Sequence, residues 1–351
     1  MKKPWLSSIF NHGDNASIDQ LKAKAEDGDA DAQYQLGLAY SSGQEVTQDY
    51  IEAVKWFKAA ASRSNLEAQN ALGLCYDHGT GVDQNPEKAV NWYRLAAEGG
   101  FPAAQNNLGL SYNKGEGVEQ NFEEAAKWFR AAAEQGYADG EFSFGLAYYR
   151  GEGVPQDYTK AMKWLHKAAE KGETNAQFRL GRVIYKFADN RAAFKEAAKW
   201  FKQAAEQEHA EAQYNLALCY TNGKGVPENL VEANNWLEKA AENGHSNALY
   251  ELGRRCFMGL GTTKDHVEGV RYFRVAAEQG SVLAMYQLAS CYRDAKGTDK
   301  DNIRAFRWFS VAAHFGHKEA AGERDEIVSL LSEDELKKAR RKIREFEQAH
   351  S

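Results

Sequence analysis

Ser111 and Lys114, in the run SYNK, stand at the spacing of the S-x-x-K motif, where a serine hydroxyl attacks an acyl group and a lysine one helical turn away moves its proton. The spacing raises the reading of a penicillin-binding or β-lactamase-like hydrolase centred on Ser111 and Lys114. Two fixed letters in four arise readily by chance, however, and Ser111 falls in register with Ala39 and Cys75, at a place where a hydroxyl would face a neighbouring helix. No Walker A loop, G-x-G-x-x-G or H-E-x-x-H occurs elsewhere in the chain. Nine histidines invite a metal reading. His209, His245 and His317 share one register, so neighbours would sit ~10 Å apart across stacked helices, whereas zinc ligands converge within about 2 Å of one ion. They are expected at loop edges. His314 with His317, and Cys75 with His78, lack a third ligand. The expectation is therefore no catalytic residue, no metal and no cofactor.

The elements that carry these residues follow from a repeat of 36. Trp56, Trp92, Trp128, Trp164, Trp200, Trp236 and Trp308 lie on one comb of that spacing, with Tyr272 at the vacant tooth. Alanine pairs from Ala60-Ala61 to Ala312-Ala313, and leucines from Leu36 to Leu288, keep the same step. A period in this range means a solenoid of helix pairs, because one pair cannot bury its apolar face alone. In the unit from Phe101 to Gly136, Ala104, Leu108 and Tyr112 share one face of a first helix. Gly115 and Gly117 end it. Asn121, with Glu124 three residues on, caps a second helix whose apolar stripe is Ala125, Trp128, Phe129, Ala132 and Ala133.

The pattern A-x-x-x-L-G-x-x-Y-x-x-G-x-G-V followed by K-A-x-x-W-[YF]-x-x-A-A-E-x-G resembles the Sel-1-like repeat, a relative of the tetratricopeptide repeat. The resemblance runs over roughly residues 17 to 331. It implies an all-α, right-handed superhelical solenoid of about eight 36-residue helix-turn-helix repeats with capping helices. The expected boundaries are a lead-in and capping helix over 1–28, eight repeats over 29–316, and C-terminal capping helices over 317–351. In 1–28, Ser17 with Gln20 makes a capping box. In 317–351, Ser332 with Glu335 makes another, ahead of a helix bearing Lys337, Lys338, Arg340, Arg341, Lys342 and Arg344. That basic run reads as the solvated outer face of a cap. The resemblance also implies a non-enzymatic adaptor, in a family that includes bacterial host-interaction factors, toxin-immunity proteins and, in eukaryotes, membrane quality-control adaptors; some cysteine-rich relatives are described as penicillin-binding.

A net charge of -6 disfavours a nucleic-acid partner, and no run of about 18 apolar residues offers a membrane span. Cys75, Cys219 and Cys291 share one register with Ala39, Ser111, Ala147 and Val183, and Cys256 replaces a tyrosine tooth, so four free thiols in a reducing compartment are expected. The chain reads as a cytoplasmic monomer, or as periplasmic or secreted if a leader was removed before this numbering. One repeat breaks the rule: over 173–208 the loop glycines give way to Phe187 and Asp189, the capping residue to Ala193 and the closing glycine to Glu208. Its turn must differ.

At 100° per residue, the side of each first helix away from Leu36 and its counterparts carries three further combs. From the fourth repeat onward they hold Phe142, Tyr149, Phe178, Arg182, Tyr185, Tyr214, Tyr250, Arg254, Phe257, Tyr286 and Arg293. Earlier repeats offer Asn70, Asn106 and Asp77 there, with leucines from Leu38 to Leu146 between. In tetratricopeptide-like superhelices this side lines the concave surface, and aromatic residues with arginine dominate binding hot spots. These residues are the expected groove for a protein or peptide partner.

Overall fold

The computed structural model describes residues 18–350, so the expected lead-in and Ser17 lie outside the described residues. Among the described residues there are nineteen α-helices and no strand. α1 (Ile18–Glu26) precedes eight pairs: α2 and α3 (Ala30–Ser42, Tyr50–Ala61), α4 and α5 (Leu66–His78, Pro86–Glu98), α6 and α7 (Pro102–Lys114, Phe122–Glu134), and α8 and α9 (Ala138–Arg150, Tyr158–Glu170). There follow α10 and α11 (Thr174–Phe187, Arg191–Glu206), α12 and α13 (Ala210–Asn222, Leu230–Glu242), α14 and α15 (Ser246–Met258, His266–Glu278), and α16 and α17 (Val282–Asp294, Asn302–His314). α18 (Ala320–Val328) and α19 (Glu333–His350) close the chain. The fold is an all-α repeat solenoid. Its chain divides between Ala176 and Gln177 into two compact units.

Within each unit the same few residues make the same few contacts. Asn121 accepts from the Glu124 amide at 3.0 Å and so starts α7, as Asn85, Asp157, Asn229 and Asp301 start their second helices. The glycine after the comb leucine lies against a ring of the second helix. A Cβ on Gly37, Gly73, Gly109, Gly181 or Gly253 would stand between 2.5 and 2.8 Å from the ring of Phe57, Tyr93, Phe129, Phe201 or Phe273. The absent side chain is what lets the helix pair close. In the G-x-G turn, Gly81 has φ +72°, and a Cβ there would stand 2.1 Å from the Tyr50 carbonyl of the preceding repeat, so both conformation and space demand glycine.

The ring on that glycine, not the tryptophan beside it, is the deepest part of the core. Phe57, Tyr93, Phe129, Leu165, Phe201, Leu237, Phe273 and Phe309 are all buried. Trp56, Trp92, Trp128 and Trp164 are half-buried, and only from Trp200 onward does the comb tryptophan become core. The apolar stripe expected to hold Trp128 and Phe129 alike is corrected accordingly: Phe129 is buried and Trp128 only half-buried.

The irregular fifth repeat solves its turn by moving the cap. Asn190 accepts from the Ala193 amide at 3.0 Å, three residues ahead of the usual place, and α11 is accordingly 16 residues long against 12 in α3 and 13 in α7. Glu208 takes the closing glycine's positive φ, at 63°. At the C-terminus the Ser332 amide and hydroxyl donate to Glu335 at 2.9 and 2.8 Å, and Ala339 and Ile343 face inward while the six basic residues of α19 are exposed. Among the described residues no helix is long and apolar enough to cross a membrane.

Candidate functional site

The first helices carry the expected surface. In the first unit its early teeth are closed: Tyr34, Asn70 and Asn106 are buried, and Asn70 Oδ1 accepts from Asn107 at 2.9 Å. Phe142 and Tyr149 on α8 are half-buried, Tyr149 meeting the Tyr158 ring edge-on at 5.5 Å.

In the second unit the aromatic teeth keep an exposed edge while other rings hold them from behind. Tyr185 meets Phe194 at 5.1 Å, with the Lys224 ammonium 5.5 Å over its ring. Tyr214 stacks on His245 at 4.3 Å, Phe257 on His266 at 4.7 Å, and Tyr286 on His317 at 4.1 Å, the last pair only 9° from parallel. Tyr250 packs on Phe273 at 5.8 Å. Burial raises the Tyr214, Tyr250 and Tyr286 hydroxyls above the usual phenol range, so all three stay neutral and can donate.

Two expectations change. Phe178 is not a surface tooth: it is 5% exposed, pressed between Phe201 at 6.2 Å and His209 at 4.5 Å. The first helix is packed on both sides, so a face opposite the leucine comb need not be free. The histidines of the 36-residue comb do lie at the loop edge, His209 and His245 as the N-cap residues of α12 and α14. They are the rings that back the aromatic teeth, and His209 Nδ1 also accepts from the Ala212 amide at 3.1 Å to cap α12. His245 is buried, with Glu211 3.5 Å from its Nε2.

The arginines separate by what already holds them. Arg293 is engaged by Asp294 at 2.7 Å and by Glu323, and the Asp294 hydrogen bond raises its pKa further. Arg254 pairs with Glu251 at 2.9 Å. Arg182 is exposed and has no ion pair among the described residues; its guanidinium stands 5.7 Å from the Phe178 ring.

At the S-x-x-K position, the half-buried Ser111 hydroxyl donates to the Asn107 carbonyl at 3.2 Å, and the Lys114 ammonium lies 3.4 Å from Glu116. Each group is turned to its own neighbour. No three metal-ligating side chains converge among the described residues, and Cys75, Cys219, Cys256 and Cys291 are buried thiols outside any disulfide.

Two charged residues went unread in the sequence. Glu141 is buried and receives the Lys171 ammonium at 2.7 Å, where other repeats have glutamines that tie a first helix to the end of the preceding second helix, as Gln105 does to the Ala97 carbonyl at 3.2 Å. Arg255 is 2% exposed, donates to Asn234 Oδ1 at 3.1 Å and to Thr221 Oγ1, and has no ion pair among the described residues. Each breaks its comb, Glu141 among Gln33, Gln69, Gln105, Gln177 and Gln213, and Arg255 among small residues. That break was the available signal.

The Sel1 repeat model matches residues 30–65, 66–101, 102–137, 140–173, 174–209, 210–245, 246–281 and 282–317. A solved Sel1 repeat protein from Oxalobacter formigenes is 28% identical, with 93% of this chain and 95% of that one covered and a TM-score of 0.68. The structure of c5321, a protective antigen of uropathogenic Escherichia coli, is 29% identical over 95% of this chain and 94% of its own, with a TM-score of 0.44. The secretory immunoglobulin A-binding protein EsiB of Escherichia coli O6:H1 is 49% identical over 43 residues, which span 12% of this chain and 9% of that protein. Eight matches in phase, over residues whose helix pairs repeat the same contacts, place this chain in the Sel1 repeat family.

Proposed function

We propose that this protein is a non-enzymatic scaffold that holds another protein, or an extended peptide, on the exposed edges of its first helices. The observation that carries the reading is the row Tyr185, Tyr214, Tyr250, Phe257 and Tyr286 in the second unit, each half-exposed and most of them backed by a phenylalanine or histidine ring. A ring already fixed from behind loses little freedom when a partner covers its edge, and such preorganisation favours binding. Arg182, unpaired among the described residues, adds a planar donor for a partner's carboxylate. Phe142 and Tyr149 offer a smaller surface of the same kind in the first unit. The same reading takes the protein as a cytoplasmic monomer, since four thiols outside any disulfide fit a reducing compartment. EsiB's binding of an immunoglobulin fits a protein partner; it does not name this one.

The test is a pull-down from the native host with the partner identified by mass spectrometry, followed by affinity measurements on variants. Arg182→Glu should weaken binding by ~2 kcal/mol, the hot-spot threshold, with helix content unchanged. Lys199→Glu, exposed on a second helix, should leave it alone. Wild-type affinity in Arg182→Glu and in Tyr250→Ala, with loss in a second-helix variant, would place the partner elsewhere. Phe178→Ala is unsuitable here, because that ring belongs to the core.

A further inference from the structure

Six of the eight repeats carry a tyrosine at the end of the first helix: Tyr40, Tyr76, Tyr112, Tyr148, Tyr220 and Tyr292. The ring lies in a furrow between the second helix of its own repeat and that of the repeat before. Tyr76 shows it in the first unit, with the Lys58 ammonium of α3 6.0 Å from the ring and the Lys88 ammonium of α5 5.5 Å from it. Tyr292 shows it in the second, its hydroxyl accepting from Arg274 of α15 at 3.3 Å and its ring facing Arg304 of α17 at 5.4 Å.

In the seventh repeat this ring is missing. Cys256 stands in its place, and the furrow that Ile51, Tyr76 and Lys88 line in the second repeat becomes, at Val231, Cys256 and Glu268, a cavity of about 270 Å³ that reaches inward to Leu252, Arg255 and Tyr272. The neighbouring residues have changed with it. Arg255, where other repeats have alanine, serine, valine or cysteine, is locked by Asn234 and Thr221 at the inner end of the cavity. One flanking cation has become a carboxylate here: Glu238 stands at the place of Lys58 and Arg274, where Lys22, Arg94, Arg130, His166 and Lys202 also stand, whereas Glu268, at the place of Lys88 and Arg304, has counterparts in Glu52, Glu124 and Glu232 beside Tyr40, Tyr112 and Tyr220. Glu268 pairs with Arg271 at 3.0 Å, while Glu238 is exposed and has no ion pair among the described residues.

We propose that this cavity is a binding site for a phenol ring supplied from outside the chain. Leu252 and Tyr272 give it walls for a flat apolar ring, as the same furrow holds the chain's own tyrosine elsewhere. The polarity at its mouth is reversed. Where Arg274 donates to the Tyr292 hydroxyl, Glu238 can only accept while ionised, so the guest must bring a donor. A phenol brings both the ring and the O–H. The ring can come from a tyrosine on a partner or from a free small phenol, and the site lies apart from the first-helix surface proposed above, so either reading can fail without the other.

Cys256 is a built-in reporter, since it lines the cavity and the other three thiols do not. The experiment follows alkylation of each cysteine of the folded protein by iodoacetamide, read by peptide mass spectrometry, with p-cresol, N-acetyltyrosinamide, toluene or n-butylammonium added. p-Cresol should slow labelling of Cys256 and leave Cys75, Cys219 and Cys291 unaffected. Toluene should protect about tenfold less well, the worth of a hydrogen bond to a charged group. Glu238→Lys, an exposed change that restores the cation of the other repeats, should remove that tenfold advantage while toluene behaves as before. Cys256→Tyr, which refills the furrow, should abolish a p-cresol-induced shift in the spectrum of a fluorotyrosine at Tyr272. Protection by N-acetyltyrosinamide as well as p-cresol assigns the ring to a partner's tyrosine; protection by p-cresol alone assigns a free phenol. Equal protection by toluene, stronger protection by n-butylammonium, or none from any ring overturns the proposal.

Discussion

Lys171 is what allows a carboxylate to sit in the core of the fourth repeat. Its ammonium lies 2.7 Å from Glu141 and 2.7 Å from the Gly136 carbonyl, the same two places that Gln135 reaches one repeat earlier at Gln105 and the Gly100 carbonyl. The ion pair and the amide pair are thus two solutions to one junction. Lys171→Met should leave the buried Glu141 oxygen without its donor, at a cost of about 1–3 kcal/mol, and toward the low end because the lysine is 41% exposed. Glu141→Gln with Lys171→Gln should return urea stability to within about 0.5 kcal/mol of wild type. If the double variant is no better than Lys171→Met, the pair is not interchangeable with the amides. At this scale the sequence was legible wherever a comb was strict. It was misread where contact decides depth: nothing in the string says that Phe129 outranks Trp128, or that Phe178 has His209 over its outer side.

For the elements, the helix signals were legible almost to the residue, because each rests on local chemistry. Asn and Asp caps, turn glycines with positive φ and the Ser332–Glu335 box act within a few residues of chain, so a string read alone contains them. The fifth repeat was legible as an exception, and its solution was in the string but passed over: Ala193 has no side-chain acceptor, whereas Asn190, three residues earlier, is a strong cap. The box at α19 has a pH signature. Hydrogen bonds from the Ser332 amide and hydroxyl hold Glu335 below the usual carboxylate range. A folded-state pKa below the unfolded one adds stability that is complete above the unfolded value and is lost as pH falls through the folded value. The amides at the start of α19 should therefore lose hydrogen-exchange protection on acidification from ~5 to ~2, after correction for intrinsic rates. Glu335→Gln should flatten that dependence. An unchanged profile in the variant would assign the loss to other carboxylates.

Across the whole molecule, the packing within each unit is mostly between helices adjacent in the chain, with α6 on α8 and α17 on α19 as the next-neighbour contacts, as expected for a repeat array whose stability is a sum of repeat and neighbour terms. An array of this kind needs its ends covered, and α19 meets the need with one apolar edge. Phe346 meets the Trp308 indole edge-on at 5.4 Å, Ala339 and Ile343 are buried, and Trp308 and Ile327 beneath are 4% and 2% exposed. The basic residues on its other side are exposed, and Arg341 pairs with Glu345 of the same helix at 3.6 Å. Removing residues 332–351 should expose Trp308 and Ile327 at about 1.5–3 kcal/mol for each side chain fully uncovered. The loss should be felt first in the eighth repeat, then the seventh, and least in the first unit. Hydrogen exchange followed by mass spectrometry resolves this repeat by repeat, and Lys342→Gln, on the exposed side, should change protection by less than about 0.5 kcal/mol. A graded loss from the C-terminal end marks α19 as a cap on a one-dimensional array. An even loss over all eight repeats would mean that the units unfold as one cooperative body, and neighbour terms alone would then not describe the protein.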